Sequence, residues 1–349
     1  MILIVVHVIF TTLSYAQSVG IGWWEQFVLL VFGYPWMMPA TAALLIMVVF
    51  GMLSIRRIRR HFRYDTWKVA HLYFYLAVAL AFAHQVITGS FLNGNSFALV
   101  WWGSLYVIAA GSILIFRVVL VARRSFVHDL KVDHIQREGN DTVSVYLRGK
   151  NLDTWEAKGG QWFTWHFATN DWWWQGHPYS LSAAPTNTSM RILVKNLGDQ
   201  SGAIDQLKPG TRVFAEGPYG AFRLDRRSSD RLVLIGGGVG IAPIRALLDE
   251  VPEQAQVDVI YRCLAESVPL LLELETIAQE SHGRIRVHIE VGLPAAHPID
   301  ARALAALIPD FGDADVFICG PQGFTEAVRA ASVELGVTSA RFHSELFAF

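Results

Sequence analysis

Two histidines in a long apolar segment are the first residues of this chain whose type and spacing suggest chemistry. His71 and His84 lie between Trp67 and Gly89, where Lys68 is the one charged side chain. A polar group is costly in hydrocarbon, so an intramembrane histidine is a functional candidate, and neutral imidazole is a metal ligand. Their 13-residue separation corresponds to about 20 Å of helix, which suits two haems stacked across a bilayer core about 30 Å thick.

A haem held by two histidines needs one ligand from each of two facing helices. His7, in the apolar segment Met1–Ala16, is the natural second ligand. In an ideal helix His84 points about 140° away from His71, so local overwinding or a bulge is needed to bring both to one face. The alternative is that His71 and His84 pack between helices and hydrogen-bond to Ser or Thr of neighbouring helices.

The distribution of charge divides the chain into two parts. Its 349 residues are 52% hydrophobic, which is too apolar for one soluble domain. Nine basic and two acidic residues precede position 125, whereas 20 basic and 28 acidic residues follow it. Cys263 and Cys319 lack CxxC spacing, so we expect neither a disulfide framework nor an iron–sulfur or zinc site.

Four apolar segments precede position 125 and are long enough to cross a bilayer. The first reads as part of a transmembrane helix and not as a signal peptide. Arginines between the second and third segments, and Arg123 and Arg124 after the fourth, place those ends in the cytoplasm by the positive-inside rule. We therefore predict a multi-pass protein of the cell membrane with a cytoplasmic C-terminal part. The approximate spans are Met1–Ala16, Phe27–Ile55, Trp67–Gly89 and Phe97–Val121.

The remaining residues change pattern twice. Short alternating runs bounded by Gly, Pro and Asn indicate an antiparallel β-barrel, and strands alternating with helices then indicate a parallel sheet with crossover helices. The predicted fold class is therefore a multi-domain protein, with an α-helical transmembrane bundle, a β-barrel domain and an α/β nucleotide-binding domain. The predicted boundaries are 1–124, 125–227 and 228–349.

A glycine-rich turn opens the α/β domain. The run Arg231–Pro243 reads as a strand, a turn and a helix start, an arrangement that lets backbone amides approach a dinucleotide pyrophosphate. It departs from the G-x-G-x-x-G pattern because Ile241 holds the third glycine's place. Arg262 follows the next strand, where an acidic residue would favour NADH, so the sequence slightly favours NADPH.

The stretch His177–Pro185 resembles the flavin-binding signature of the ferredoxin–NADP reductase superfamily, in the His-Pro form of NADPH oxidases and ferric reductases. The resemblance implies that Tyr179 stacks on the isoalloxazine, that Ser180 hydrogen-bonds near flavin N5 and that His177 faces the phosphates. A second stretch, Lys195–Gly202, resembles the family's motif that presents backbone N–H groups to the FAD pyrophosphate.

The whole chain resembles the bacterial ferric reductase and NADPH oxidase family, in which a haem-bearing membrane domain is fused to a cytosolic FAD and NAD(P)H module. The resemblance implies a nicotinamide-side turn at Cys319 and a terminal ring, Phe349, that covers the flavin. The residues expected at the hydride-transfer site are Ser180, Cys319, Glu345 and Phe349. Those expected to bind the cofactors are His177, Pro178, Tyr179, Ser180, Lys195, Gly198, Ser201, Gly202, Gly236, Gly237, Gly238, Gly240, Pro243, Arg262, Cys319, Gly320 and Phe349.

Family members have six transmembrane helices, with two histidines on the third and two on the fifth, and the four spans here match the third to the sixth. On this mapping His7 and His84 hold the outer haem, while His71 belongs to the inner haem. The partner of His71 would precede Met1, so the inner site is incomplete in this sequence. The chain is expected to bind one or two haems b.

The resemblance implies that electrons pass from NAD(P)H through FAD and haem b to an external acceptor: oxygen, a ferric chelate or a protein. Membrane lipid is the other expected partner, and no nucleic acid is expected. Two alternatives stay open. In the first, the chain is a membrane-anchored flavin reductase that binds no haem and passes electrons to a partner protein. In the second, it is a truncated, non-catalytic membrane protein that binds flavin.

Overall fold

The computed structural model describes residues 1–55, 58, 64–89, 92, 94–169, 173, 175–263, 268–292 and 299–346, without the side chains of 64–70, 199, 200 and 346. The described residues form two compact units, one ending at Ser112 and the other beginning at Ile113. The first unit is helical. The second begins with the end of a helix and continues into three β-sheets.

Long apolar helices dominate the N-terminal part. Three of them are long and apolar enough to cross a membrane: Ile2–Val19, His71–Thr88 and Ser96–Val127. The last runs through a π-helical turn, Ile115–Val119. The helices are α1 Ile2–Val19, α2 Trp23–Gly33, α3 Met37–Leu53, α4 Tyr64–Thr88, α5 Ser96–Leu114 and α6 Leu120–Val127.

The second predicted span, about Phe27–Ile55, is bent in the structure. Helices α2 and α3 meet at an angle of 115°, so the described helices give four spans only if this bent pair counts as one. Tyr34 is extended, as expected for a residue before proline, and Pro35 lacks the N–H that would continue the helix. Trp36 then adopts a left-handed conformation with φ 64°. The chain therefore bends sharply between α2 and α3.

The predicted β-barrel is not closed in the part of the chain that the structure describes. Six strands form two three-stranded antiparallel sheets, ordered β1-β2-β5 and β4-β3-β6. Isolated bridges at Lys131↔Arg212 and Leu181↔Ile192 connect them. Leu181, directly after β4, makes a single bridge to β5, so no continuous ladder closes the barrel there. The strands are β1 Lys131–Arg137, β2 Thr142–Arg148, β3 Trp162–Phe167, β4 His177–Ser180, β5 Ser189–Lys195 and β6 Val213–Tyr219.

The parallel sheet expected in the last third of the chain is confirmed. Five parallel strands are ordered β11-β10-β7-β8-β9. The chain leaves β7 towards β8 on one side and later places β10 on the other side, which is the switch point at which such sheets bind ligands. The elements are β7 Arg231–Gly237, α7 Ile241–Leu248, β8 Gln256–Cys263, α8 Leu271–Glu280, β9 Ile285–Val291, α9 Ala301–Leu307, β10 Asp315–Gly320, α10 Gln322–Glu334 and β11 Phe342–Leu346.

The end of α6 is fastened to β6. Arg124 donates to the carbonyl of Gly217 at 2.8 Å, and the buried hydroxyl of Ser125 donates to the carbonyl of Val213 at 2.6 Å. In the opposite direction, the Arg212 guanidinium donates to the Ser125 carbonyl at 3.0 Å. These polar contacts tie the last helical turn to the sheet that carries β4.

Asp258 is the buried centre of an ion-pair cluster near the amino end of the parallel sheet. Its carboxylate is fully buried, and it accepts hydrogen bonds from His288 at 2.6 Å and from Arg286 at 2.7 Å. Arg231 of β7 donates to the same carboxylate. Burial alone would raise the pKa of Asp258, but these hydrogen bonds and charges outweigh burial and hold the pKa below its usual value.

We predict that Asp258→Asn lowers the free energy of unfolding of the nucleotide-binding part by about 3 kcal/mol, because its cations lose their buried counter-charge. Since the folded pKa of Asp258 is depressed, its contribution is complete above the unfolded pKa and is lost as the pH falls below about 4. Chemical unfolding of purified protein at neutral and acidic pH measures both effects. Asp313→Asn is the control, since Asp313 is exposed; equal stability of the two variants would contradict the prediction.

Candidate functional site

The glycine-rich turn after β7 has the geometry of a nucleotide cradle. Gly238 has φ 57°, which disfavours other residues, and a 3₁₀ turn over Gly238–Gly240 leads directly into α7. A Cβ at Gly240 would stand 2.1 Å from the carbonyl oxygen of Cys319. Glycine therefore lets the first turn of α7 lie against the end of β10. The free N–H groups at the start of such a helix are a common binding site for phosphate.

Cys319 lies beside this turn at the carboxyl end of β10. It pairs with Gly236 on one side and with Glu345 of β11 on the other. Burial raises the pKa of the Cys319 thiol well above its usual value, and the nearby Glu345 raises it further. Burial also raises the pKa of Glu345. The Cys319 thiol is therefore protonated and fully buried in the core that underlies the glycine-rich turn, and Gly320 follows it at the strand end. Phe349 lies outside the described residues.

The proposed flavin strand, β4, is an edge strand of the sheet β4-β3-β6. His177 and Ser180 are buried, Tyr179 is half-buried and Pro178 is exposed. The Trp165 indole donates to the backbone carbonyl of Tyr179 at 3.0 Å and fixes the strand. The rings of His177 and Tyr179 are parallel within 3°, with centroids 6.2 Å apart. Both rings thus face the same side, as alternate residues of a strand do.

The second predicted flavin motif follows β5, which runs antiparallel to the end of β4. A single antiparallel bridge, Leu181↔Ile192, joins the residue after β4 to β5. One helical turn follows β5, Asp199–Gly202. The motif therefore begins at the end of the strand that this bridge joins to the flavin segment.

The side chains of this motif stabilise the turn itself. The Ser201 hydroxyl accepts from the Leu197 amide at 2.7 Å and donates to the Gly198 carbonyl at 3.2 Å. Gly198 has φ 149°, and Lys195 pairs with Asp141 at 3.2 Å. A Cβ at Gly202 would lie 3.0 Å from the Asn196 amide, so a larger residue would displace that side chain.

Arg262 closes the other side of the glycine-rich turn. It is opposite Gly237 in the β7–β8 ladder, and its guanidinium lies 5.8 Å from the ring centroid of Phe324. A Cβ at Gly237 or at Gly320 would stand about 3 Å from the ring of Phe324. Arg262 is therefore at the carboxyl edge of the sheet, where the ribose of a dinucleotide is recognised in this type of fold.

Sequence reasoning missed four charged residues near these motifs: Arg191, Arg245, Asp249 and Glu273. They connect β5, α7 and α8. Burial alone would lower the pKa of Arg191, but the hydrogen bonds that its guanidinium donates to Glu273 and Tyr146 outweigh burial and raise that pKa. No local pattern could identify them, because the pairing of Arg191 with Glu273 spans 82 positions.

Two of the three membrane histidines share one hydrogen-bond pattern. His84 Nδ1 lies 2.7 Å from the Thr88 hydroxyl, and His7 Nδ1 lies 3.4 Å from the Thr11 hydroxyl, in both cases four residues later. Each contact uses Nδ1 and leaves Nε2 as the nitrogen that can bind iron. His7 and His84 belong to different helices, α1 and α4.

His71 behaves differently. Its Nε2 lies 3.1 Å from the hydroxyl of Ser54, at the end of α3, and its ring contacts Phe74 with centroids 5.5 Å apart. This is the helix-packing arrangement that the sequence left open as the alternative for His71. It uses the nitrogen that His7 and His84 leave available for a metal.

Three family models match consecutive parts of the chain. A ferric reductase like transmembrane component matches residues 1–82. An FAD-binding domain matches residues 127–223, and an oxidoreductase NAD-binding domain matches residues 234–330. The chain thus carries a membrane component followed by two nucleotide-binding domains, in the order that the sequence motifs suggested.

Known proteins resemble the chain over part of its length. The stachydrine N-demethylase reductase subunit Stc4 of Rhizobium meliloti is 28% identical over 189 residues, 48% of this chain and 52% of that protein. A flavohemoprotein of Bordetella pertussis is 28% identical over 193 residues, 50% of this chain and 48% of that protein. The chain therefore spans about half the length of the curated relatives it matches.

Solved structures show the same nucleotide-binding fold. The flavohem-like FAD/NAD-binding domain of nitric oxide dioxygenase from Vibrio cholerae has a TM-score of 0.53 at 25% identity, covering 62% of this chain and 98% of that one. The cytochrome P450 reductase GcoB of Amycolatopsis has a TM-score of 0.52 at 23% identity, covering 63% of this chain and 71% of that one. The second likeness supports the fold alone.

The two glycines of the turn give a matched prediction. Gly240→Ala must displace the Cys319 backbone, so we expect reduction of bound flavin by NAD(P)H to slow by about 100-fold. At Gly238 a Cβ meets no atom within 4 Å, so Gly238→Ala should lower stability by about 1 kcal/mol through its left-handed backbone and slow flavin reduction much less than Gly240→Ala does. Stopped-flow flavin absorbance measures both rates. Equal losses would show that steric contact with Cys319 is not the constraint.

Proposed function

Because the chain belongs to the family in which a ferric reductase-like transmembrane component is joined to FAD-binding and NAD-binding domains, we propose that it is a membrane flavohaem oxidoreductase. It moves electrons from NAD(P)H through FAD and haem b to an acceptor on the outer side of the membrane. The observation that carries the proposal is the contact of the glycine-rich turn with Cys319, which combines a pyrophosphate cradle and a nicotinamide-side turn in one cleft.

The chain's own residues bind and orient the donor. The pyrophosphate is assigned to the glycine-rich turn and the first turn of α7, because glycine has no side chain that would block the approach of the donor to the backbone. The residues are Gly236, Gly237, Gly238, Gly240 and Pro243. Cys319 and Gly320 form the wall beside the nicotinamide. The buried thiol stays protonated and excludes water there. Glu345, paired with Cys319, is a polar group beside the reacting ring.

FAD is assigned to β4 and to the turn after β5. Tyr179 supports the isoalloxazine, Ser180 bonds near N5, and His177 faces the phosphates. Lys195, Gly198, Ser201 and Gly202 shape the turn beside the pyrophosphate, and Phe349 is assigned to cover the ring. FAD bound there supplies the conversion of a two-electron donor to one-electron transfer. Trp165, which fixes the carbonyl of Tyr179, supports this assignment because it makes the strand rigid.

Haem b is assigned to His7 and His84. Their position on different helices and the two threonine hydrogen bonds support bis-histidine ligation. Haem supplies one-electron transfer across the apolar layer. His71 is the ligand proposed for a second haem. That assignment is the weaker one because Ser54 uses its Nε2, so one haem is the better-supported number.

The orientation and the acceptor are also proposals. Arg123 and Arg124 support a cytoplasmic FAD and NAD(P)H module by the positive-inside rule. The proposed domains are 1–124 for haem, 125–227 for FAD and 228–349 for NAD(P)H. The acceptor is oxygen, a ferric chelate or a protein, and lipid surrounds the helices.

We predict about one haem per FAD in the purified protein, and loss of that haem in His84→Ala because one axial ligand is removed. Thr88→Val keeps the shape of Thr88 but deletes its hydrogen bond to His84, so haem affinity should fall by about tenfold. The pyridine haemochrome absorbance against released FAD gives the ratio. His282→Ala is the control, because His282 is exposed in the nucleotide-binding part.

Other outcomes of the haem measurement select the alternatives. No haem in the wild-type protein, with flavin still bleached by NAD(P)H, would make the chain a membrane-anchored flavin reductase. Flavin that NAD(P)H does not bleach would leave a non-catalytic flavin-binding membrane protein. Two haems per FAD would assign His71 as a ligand in spite of its contact with Ser54.

Arg262 gives a prediction about the donor. Arg262→Ala should lower kcat/KM for NADPH by about tenfold and leave kcat/KM for NADH nearly unchanged, since a charged hydrogen bond to the ribose phosphate is lost. Steady-state reduction of ferricyanide with each donor measures the ratio. Arg302→Ala, at an exposed site, is the control. Equal losses for both donors would contradict the assignment of Arg262 to the 2′-phosphate.

A further inference from the structure

A closed ring of ion pairs and hydrogen bonds connects the segment after the flavin strand to the two helices after the glycine-rich turn. We call it the interdomain ring. Its members come from both nucleotide-binding domains, and each contacts the next. They are Ser182, Arg191, Glu273, Arg245, Asp249 and Ala184.

Arg191 begins the ring on the flavin side. Its side chain is 8% exposed, and it donates to the Ser182 carbonyl at 2.6 Å and to the Ser182 hydroxyl at 3.0 Å. The same guanidinium binds both oxygens of Glu273, at 2.9 and 3.2 Å. This paired geometry is directional as well as strong, so Glu273 is held at a fixed angle to the flavin segment.

Arg245 and Asp249 complete the ring on the NAD(P)H side. Arg245, 10% exposed, donates from Nε to Glu273 at 2.7 Å and from a terminal nitrogen to Asp249 at 2.6 Å. Asp249 accepts from the backbone amide of Ala184 at 2.8 Å. The ring therefore returns to the segment where it began, two residues from Ser182.

The position of α7 follows from this ring. Arg245 lies in α7, five residues after Gly240, so the helix that starts at the glycine-rich turn is attached to the flavin segment. A second contact acts near the same helix end: the Gly159 amide donates to Glu250 at 2.8 Å. Ring and contact together fix the turn relative to the strand that carries Tyr179.

Apolar packing and the interdomain ring act together at this boundary. Leu193 and Phe222 of the flavin domain pack in the core of the NAD(P)H domain, and Ala246 of α7 packs in the core of the flavin domain. Beside Arg191 and Glu273 the boundary opens into a groove of about 590 Å³, bordered also by Tyr146, Leu270 and Leu272. At this open edge the paired hydrogen bonds of Glu273 add a directional constraint to the packing.

We propose that Glu273, held between Arg191 and Arg245, is a positioning residue that sets the NAD(P)H cradle over the flavin for hydride transfer. The inference rests on the proposed function. In that step the C4–H bond of dihydronicotinamide breaks, and hydrogen with both electrons bonds to flavin N5. The donor becomes NAD(P)⁺ and the flavin is reduced. Small errors of placement are costly for such a transfer.

The test compares Glu273→Gln with Glu275→Gln in the full chain. Both change the same charge on α8, but Glu275 is exposed. We expect Glu273→Gln to reduce bound flavin about tenfold more slowly at saturating NAD(P)H, with bound FAD and the KM for NAD(P)H nearly unchanged. Reoxidation of dithionite-reduced flavin by ferricyanide should keep the wild-type rate. Glu275→Gln should match the wild type throughout.

A structural measurement does not depend on activity. Spin labels at Lys208→Cys and Glu334→Cys report the distance between the two domains, since both sites are exposed and the native Cys263 and Cys319 are buried. The distance distribution should broaden in Glu273→Gln and stay narrow in Glu275→Gln. Arg191→Lys, which keeps the charge but loses the paired geometry, should also broaden it. If Glu273→Gln does not fold, Arg191→Lys replaces it as the test variant.

The outcomes separate the inference from the proposed function. A wild-type protein whose flavin NAD(P)H does not reduce would overturn the proposed function itself. Normal flavin reduction in the wild type together with an unchanged rate and an unchanged distance distribution in Glu273→Gln and Arg191→Lys would overturn the role of Glu273 alone. Loss of FAD in Glu273→Gln with a narrow distribution would assign Glu273 to the flavin site and contradict positioning.

Discussion

The nucleotide-binding part depends on one close backbone approach, that of Gly240 to the Cys319 carbonyl oxygen, where a Cβ would stand 2.1 Å away. This contact sets the start of α7 against the end of β10, which is possible because β10 and β7 are neighbours in the sheet. The direction of α7 follows from its start, and α7 carries Arg245 towards Glu273. A steric requirement at one glycine thereby determines where an ion pair forms at the domain boundary.

Charge is distributed unevenly around this contact. Asp258 joins cations of β7 and β9 near the amino end of the sheet, and the interdomain ring joins two domains at their boundary. At the carboxyl end, the glycine-rich turn packs on Cys319, a fully buried residue whose thiol pKa is raised by burial. Backbone N–H groups can then face a phosphate without a competing carboxylate on the turn itself. The folding charges and the binding surface are spatially separate.

The sequence predicted the features that have a local pattern. Alternating strands and helices predicted the parallel sheet, because that pattern follows from neighbours in the chain. The run of glycines predicted a turn that a dinucleotide pyrophosphate can approach closely, but not the packing of Gly240 against the Cys319 carbonyl. The prediction of a closed barrel was wrong, since closure depends on pairing between strands that are distant in the sequence. Pro35 lies within the second predicted span, but the left-handed turn at Trp36, where that span bends, has no signal in the sequence. The interdomain ring has no local pattern at all.

The membrane histidines show how hydrogen bonding separates residues that the sequence treats alike. A threonine four residues after His7 and another after His84 each contact Nδ1, so the two rings keep the same nitrogen for a metal. His71 is on the same helix as His84, yet Ser54 of a neighbouring helix contacts its Nε2. A metal at His71 must first displace that hydroxyl, whereas a metal between His7 and His84 displaces no described hydrogen bond. The side chain that hydrogen-bonds to each ring, more than the histidine itself, therefore distinguishes the better haem ligand.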